Sequence, residues 1–308
     1  MIKVFIDGKE GTTGLQIFER LGKRTDVDVI ALPDELRKDV AARKECINKA
    51  DVVFLCLPDA AAKESVSLCE RAGVKILDAS TAHRTNPTWA YGFPELSASH
   101  REKIAHTDRI AVPGCHASGF ISLVYPLIAG GLVEADYPFV CHSVTGYSGG
   151  GKKMIAEYES SARAAEFDSP RQYALAQGHK HLPEMQAVCG LSHAPVFNPI
   201  VSDYYSGMCV TVPLHVRLMR KKMNAEDIKS YFAEYYASQN FIKVVQEKEA
   251  YLAANTLVGT NEMKIYIDGN DERVVLASVF DNLGKGASGA AVQCMNIALG
   301  LDERTSLV

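Results

Sequence analysis

A strand, a glycine-rich turn and a helix follow one another within the first 21 residues. Ile2-Lys-Val-Phe-Ile6 reads as a short strand, Gly8-Lys-Glu-Gly11-Thr-Thr-Gly14 as a turn, and Leu15, Phe18 and Leu21 then recur at helical spacing. The pattern continues: Val27 to Leu32 reads as a strand, and Asp34 as the cap of a helix running to about Lys49. Asp51 to Leu57 is the continuous apolar run of a strand buried on both faces. Asp59 to Arg71 reads as a helix and Val74 to Leu77 as a strand. Strands alternating with helices at this spacing build βαβ units, which require a parallel sheet.

After about residue 116 the pattern changes. Val140 to Val144, Gly207 to Leu218 and Val274 to Phe280 are strand-like, and several alternate polar with apolar. Helical stretches fall at 151–166, 225–238 and 286–299. The expectation is an α/β chain: a Rossmann-type parallel-sheet domain plus an α+β domain with a mainly antiparallel sheet. A length of 308 residues suits two domains.

Composition excludes several classes of function. A net charge of −4 with no long basic run leaves no electrostatic footprint for nucleic acid. The longest nearly apolar stretch, Gly119 to Val133, is too short for a bilayer span and reads as a buried helix. With no basic, apolar or cleavage region at the N-terminus, the chain is expected to be cytoplasmic. The eight cysteines form no CxxC pair and no zinc-finger spacing, so most are expected to be small buried apolar residues.

The first turn points to a dinucleotide. Glycines let the backbone approach a pyrophosphate, and a helix N-terminus offers N–H groups and the positive end of its dipole. Gly8, Gly11, Thr12, Thr13 and Gly14 are the cofactor candidates, although the spacing is GxxGxxG rather than GxGxxG. Asp34, 20 residues after Gly14, is placed to hold a ribose 2′-hydroxyl, whereas Arg37 and Lys38 within a turn of it can pair a 2′-phosphate. The residues alone leave NAD and NADP open.

Val112-Pro-Gly-Cys115-His-Ala-Ser-Gly119 sets one cysteine apart. A strand-like segment runs into Pro-Gly, and Cys115 opens an apolar helix, where the dipole and backbone N–H groups stabilise a thiolate.

With these motifs in order along nearly the whole chain, the sequence resembles the N-acetyl-γ-glutamyl-phosphate reductase family in its shorter form. The resemblance rests on Gly8 to Gly14, Leu77-Asp-Ala-Ser-Thr-Ala-His-Arg84, Tyr91-Gly-Phe-Pro-Glu-Leu96 and Pro113-Gly-Cys115. It rests equally on Thr145-Gly-Tyr-Ser-Gly-Gly-Gly-Lys152, His179-Lys-His-Leu-Pro-Glu184, and Asp281-Asn-Leu-Gly-Lys-Gly-Ala287 with Gln293. It implies NADPH-dependent reduction of N-acetyl-L-glutamyl 5-phosphate to the 5-semialdehyde through a Cys115 thioester, a step of arginine biosynthesis. It implies NADP and a homo-oligomer. It also implies a first domain of residues 1–116 completed by 285–308, around a catalytic and oligomerisation domain of 117–284.

The resemblance extends to individual positions. His179 takes the first histidine of the His-x-His-x-Pro-Glu motif and is the expected base, with Glu184 to orient an imidazole and His181 in reserve. The two histidines alternate about Lys180, so an extended segment would put them on one face, but no third metal ligand is evident. His116, next to Cys115, ranks third because adjacent helical residues do not face each other. Arg84, Lys152 and Lys153 are candidate clamps for the substrate's phosphate and carboxylate. Ser148 and Gly149, in a glycine run suited to an anion nest, and Asn282 and Lys285 are assigned to the cofactor. Two other readings share parts of this pattern: an aspartate-semialdehyde dehydrogenase, and a non-catalytic NADP-sensing protein.

Overall fold

The computed structural model describes residues 1–307, which divide into two compact units: 1–114 with 287–307, and 115–286. Cys115 and His116 therefore belong to the second unit, and so do Lys285 and Gly286, against boundaries expected two residues away.

The first unit contains β1 (Ile2–Asp7), α1 (Thr12–Leu21), β2 (Val27–Ile30), α2 (Val40–Lys49), β3 (Val52–Leu55), α3 (Asp59–Leu68), β4 (Lys75–Asp78), β5 (Ala90–Tyr91), α4 (Ala98–His106) and β6 (Arg109–Ala111). Its six strands are all parallel, in the order β2-β1-β3-β4-β6-β5. All four residues of β3 are buried, as a strand covered on both faces requires. The chain leaves β1 for β2 on one side and then crosses to β3 on the other. This switch point, at the carboxyl end of β1, is where open α/β sheets bind ligands.

Two details of this unit correct the sequence reading. Asp34 does not cap a helix. It sits in a 3₁₀ turn, Asp34–Leu36, and the cap of α2 is Asp39, whose carboxylate accepts from the Ala42 N–H at 2.7 Å. The buried stripe of α1 is Gly14, Ile17 and Leu21, while Leu15 is 45% exposed.

The second unit opens with α5 (Cys115–Ala129) and continues with β7 (Val140–Gly146), α6 (Gly151–Tyr158), β8 (Arg171–Gln172), α7 (Leu182–Cys189), β9 (Val196–Ser202), β10 (Met208–His215), α8 (Ala225–Tyr235), β11 (Ile242–Val244), β12 (Met263–Gly269) and β13 (Arg273–Phe280). The sheet order is β11-β12-β13-β10-β7-β9-β8. It is antiparallel apart from the β7–β9 and β11–β12 pairs. A π-helical turn, Gly284–Ser288, precedes α9 (Gly289–Ala298), which packs on α4, β4 and α1 of the first unit. The helices expected at 151–166, 225–238 and 286–299 are thus shorter, ending at Tyr158 and Tyr235 and, for the last, starting after the π turn.

α5 lies hard against the sheet. A Cβ on Gly119 would come 2.3 Å from Val210 Cγ2, so only glycine fits this crossing. Pro126 withholds an N–H from the Ser122 carbonyl one turn earlier. The Tyr236 hydroxyl donates to that carbonyl at 2.8 Å, which satisfies the buried acceptor and lets the proline stay inside the helix.

Candidate functional site

In the first unit the glycine turn is held open by contacts that no side chain could share. Gly8 has φ +89°, and a Cβ there would lie 2.4 Å from the Cys56 carbonyl oxygen. A Cβ on Gly14 would lie 2.6 Å from the Gly8 carbonyl oxygen. Gly11 forms the N-cap of α1 without a side-chain cap, and Thr12 and Thr13 begin a first turn that holds no acidic residue. The N-terminal amides of α1 therefore face no carboxylate of their own helix. Just before the turn, the buried Asp7 carboxylate accepts from Arg43 Nη2 at 3.1 Å and from Ser65 Oγ at 2.8 Å, which fixes the end of β1.

A cavity of about 550 Å³ opens beside this turn. Gly8 and Gly11 form one wall, Val29 to Leu32 and Leu57 give it an apolar floor, and Asp34, Arg37 and Lys38 stand at its edge. Lys9 lines it as well, with Nζ 3.7 Å from the centre of the Phe18 ring. The sequence places Phe18 in the apolar stripe of α1 and Lys9 in the glycine turn, and gives neither a site role; their contact is one that a helical projection could have exposed.

In the second unit Cys115 is the first residue of α5, half-buried, with no acidic residue in the first turn. The turn after β13 reaches it: a Cβ on Gly286 would lie 2.9 Å from the Cys115 Cβ. The other cysteines are also thiols, and burial raises those of Cys46, Cys141, Cys189 and Cys209, with Cys56 pushed up to about 12.

Three histidines meet beside this helix start. His179 lies 5.4 Å from His116 and 4.8 Å from His181, ring centre to ring centre. His179 and His181 are not in an extended segment. Lys180 and His181 form a turn, His181 caps α7 with helical dihedrals, and the His181 N–H donates to His179 Nδ1 at 3.2 Å. The turn brings the rings together for a different reason than strand alternation, and Pro183 at the helix start is the signal that pointed to it. Burial, then the charge of Lys180, pushes the His179 imidazole down to about 4, so it is a neutral base near pH 7. Glu184 is buried on α7.

His116 is fixed on both sides. Its Nδ1 lies 2.6 Å from Ser143 Oγ and its Nε2 2.9 Å from the Tyr173 hydroxyl. Burial, then the charges of His179 and Lys180, pushes it down to about 3. Tyr173 was missed by the sequence reading, since it follows the two-residue strand β8 in a region with no periodic pattern. Burial, and next the charge of Cys115, raises its phenol.

A second cavity, of about 200 Å³, is lined by His116, Tyr173, His179 and Lys180 together with Gly146, Gly149 and Gly150. Gly150 caps α6 without a side-chain bond, and Lys152 and Lys153 lie exposed in its first turn, Lys153 3.9 Å from Glu157. The remaining candidates have internal partners. The Asn282 amide accepts from the Gly207 N–H at 2.7 Å and donates to Ser148 Oγ at 3.1 Å, so these two residues brace the glycine run. Arg84 is buried in the first unit and donates to the carbonyls of Val112 and Ala79, both at 2.9 Å. Lys285 is buried, its Nζ 5.8 Å from the centre of the Phe241 ring. Among the described residues no group of three or more His, Cys, Asp or Glu could hold a metal ion, and no helix is long and apolar enough to cross a membrane.

A nucleotide-type glycine turn and a thiol at a helix start, each on its own unit, define a class that sequence comparison reproduces. The semialdehyde dehydrogenase NAD binding domain matches residues 3–105, and the semialdehyde dehydrogenase dimerisation domain matches residues 115–282. The fold is also that of aspartate semialdehyde dehydrogenase II from Vibrio cholerae, with a TM-score of 0.74 at 15% identity over 97% of this chain and 98% of that one. Within this class the chain belongs to the N-acetyl-gamma-glutamyl-phosphate reductase family. It is 44% identical to the enzyme of that name from Burkholderia cenocepacia, over 96% of this chain and 97% of the relative. It is equally 44% identical to N-acetyl-gamma-glutamyl-phosphate reductase 2 from a Nostoc species, over 99% of both chains.

Proposed function

We propose that this protein reduces N-acetyl-L-glutamyl 5-phosphate to N-acetyl-L-glutamate 5-semialdehyde and phosphate, using NADPH. The observation that carries the reading is Cys115 at the start of α5, followed by His116, whose ring lies 5.4 Å from the His179 imidazole, neutral near pH 7.

His179 takes the thiol proton, and Cys115 sulfur attacks the acyl carbon. Phosphate leaves, and a thioester remains on Cys115. A bound nicotinamide would supply the hydride that reduces this thioester. His179 returns its proton to the Cys115 sulfur as the thiohemiacetal oxyanion on Cys115 collapses to aldehyde and thiol. His181 holds the turn through its N–H to His179 Nδ1, and Glu184, buried in the first turn of α7, is assigned to orient an imidazole.

The cradle of Gly8, Gly11 and Gly14 and the uncapped first turn at Thr12 and Thr13 suit a pyrophosphate, and the apolar floor suits an adenosine. Arg37 and Lys38, with Lys9, favour a 2′-phosphate and thus NADP over NAD. Ser148 and Gly149, braced by Asn282, present the glycine run to an anion, and we assign Lys285 to the cofactor. Lys152, Lys153 and Lys180 serve the substrate's phosphate and carboxylate. The bonds of Arg84 to Val112 favour a role in setting the Pro113-Gly114 approach to Cys115.

We further propose a homodimer through the sheet face opposite α5 and α8, where Val275 is 45% exposed beside Tyr266. One assay tests the reaction: phosphate-dependent NADP reduction with N-acetylglutamate semialdehyde, and separately with aspartate semialdehyde. Turnover with the acetylated aldehyde alone is expected. Turnover with aspartate semialdehyde alone makes the protein an aspartate-semialdehyde dehydrogenase, and with neither, the catalytic reading falls.

A further inference from the structure

Ser143, His116 and Tyr173 form a chain of hydrogen bonds whose direction can be worked out. Ser143 is fully buried on β7, and the only side-chain hydrogen bond of its hydroxyl among the described residues is to His116 Nδ1. A buried hydroxyl must donate its hydrogen, so Nδ1 is the acceptor. Burial keeps His116 uncharged, so its single ring hydrogen sits on Nε2. That N–H then donates to the Tyr173 oxygen at 2.9 Å. The tyrosine's own hydrogen is consequently not used within the chain. Tyr173 lines the 200 Å³ cavity with His179, Lys180 and the glycine run, and it is bonded to His116, the residue that follows Cys115 in α5. The opposite tautomer would leave the Ser143 hydrogen buried with no acceptor.

We propose that Tyr173 is a further catalytic residue: its hydroxyl, aimed by Ser143 through His116, donates a hydrogen bond to the substrate's acyl oxygen. This rests on the reaction proposed above. The acyl carbon bonds to Cys115 sulfur, so its oxygen lies one atom from the sulfur and gains negative charge both when the thioester forms and when it is reduced. The hydroxyl hydrogen stays on Tyr173 throughout, because the phenol is held above its ordinary range. Ser143 and His116 are positioning residues. The result is a preorganised donor for a developing oxyanion, separate from the proton transfer at His179.

The test uses the full-length enzyme in phosphate-dependent NADP reduction. Tyr173→Phe is expected to lower kcat by roughly 10²–10³, with KM changed by less than about threefold. The pH midpoint for iodoacetamide alkylation of Cys115 should stay where it is. Ser143→Ala, which lets the His116 hydrogen move, is expected to lower kcat by about tenfold. In the wild-type protein, nitrogen-15 shifts should place the His116 hydrogen on Nε2, a measurement that needs no variant to fold. An active wild type with undiminished Tyr173→Phe turnover overturns the proposal. So does a hydrogen on Nδ1, or an alkylation midpoint that rises in Tyr173→Phe, which would assign the hydroxyl to the thiolate instead. A wild type without turnover on the acetylated aldehyde refutes the reaction itself, a distinct result.

Discussion

Gly286 and Cys115 approach so closely that a methyl group on the glycine would lie 2.9 Å from the cysteine Cβ. It would also press on the Asp281 carbonyl and the Phe280 ring, both at 3.2 Å. None of these is the free end of a flexible side chain, so the start of α5 has to shift. Gly286→Ala is expected to cost about 1–3 kcal/mol of stability. The loss of turnover should be larger, at least about tenfold, because a displacement near 1 Å at a reacting group is expensive. Urea unfolding and steady-state kinetics on one preparation check both, and unchanged kcat would show that the contact does not set the thiol's position.

Cofactor choice depends on the edge of the first cavity. Arg37, Lys38 and Lys9 bring three positive charges to a cavity whose lining carboxylates are Asp34, Glu10 and Asp7, the last already paired with Arg43. The prediction is a higher kcat/KM with NADPH than with NADH. Replacing Arg37 and Lys38 together by alanine should raise KM for NADPH by about 10–100-fold, the scale of one or two charge-assisted bonds, and leave NADH unaffected. Equal efficiency with both cofactors in the wild type would remove the 2′-phosphate role.

The two histidines of the α7 turn are expected to differ. His179→Asn should lose roughly 10²–10⁴ in turnover, the usual weight of a general acid–base group, and His181→Asn should lose less. His179 is half-exposed beside the cavity, whereas His181 is buried at the helix cap. A reversed order of the two kcat values would exchange their roles.

The parts of this molecule legible in the sequence are those set by local chemistry. The strand, glycine turn and helix at residues 2–21 and the helix opening at Cys115 need only near neighbours. Asp34 and Asp39 show where that stops: each precedes a helical pattern, and only the bond to Ala42 chooses between them. The histidine pair meets in a turn that leads into a helix opened by Pro183, and not by alternation along an extended segment. Tyr173 and Ser143 carried no local signal at all. Their importance arises because β7 and the loop after β8 both face His116, and no spacing within either segment encodes that meeting.

His116 makes stability depend on pH. Its folded value is about 3, against an ordinary value near 6.5. Above about 6.5 the imidazole is neutral in both states and contributes no slope. Below it the unfolded chain takes up a proton that the folded protein refuses, so stability falls as pH falls, until about 3. His179 adds a smaller effect in the same direction down to about 4, reduced by its contact with solvent. Between pH 6.5 and 5 His116 alone should cost about 2 kcal/mol. His116→Gln, less stable at pH 7.5, should show a correspondingly flatter decline. Parallel urea-unfolding curves for the two proteins across this range would disprove the neutral buried imidazole.

The nucleophile can be separated from seven other thiols by a single alkylation experiment. Four of them, Cys46, Cys141, Cys189 and Cys294, are buried. Cys56 and Cys209 are half-buried, but desolvation raises both, Cys56 to about 12. The real competitor is Cys69, half-buried at the C-terminal end of α3, where its Sγ lies 3.8 Å from the Arg71 carbonyl. Cys69 ends its helix, whereas Cys115 begins one, where the positive end of the dipole favours a thiolate. Substoichiometric iodoacetamide near neutral pH should therefore modify Cys115 first, activity should fall in proportion, and the acyl-phosphate substrate should protect. Peptide mass mapping at half inactivation reads the order. If Cys69 is labelled first and activity is lost while Cys115 remains a thiol, the helix-start thiolate is not the group that reacts. Cys115→Ser should retain NADPH binding but not reduce the acyl phosphate, because a hydroxyl near its ordinary pKa is a far weaker nucleophile than a thiolate.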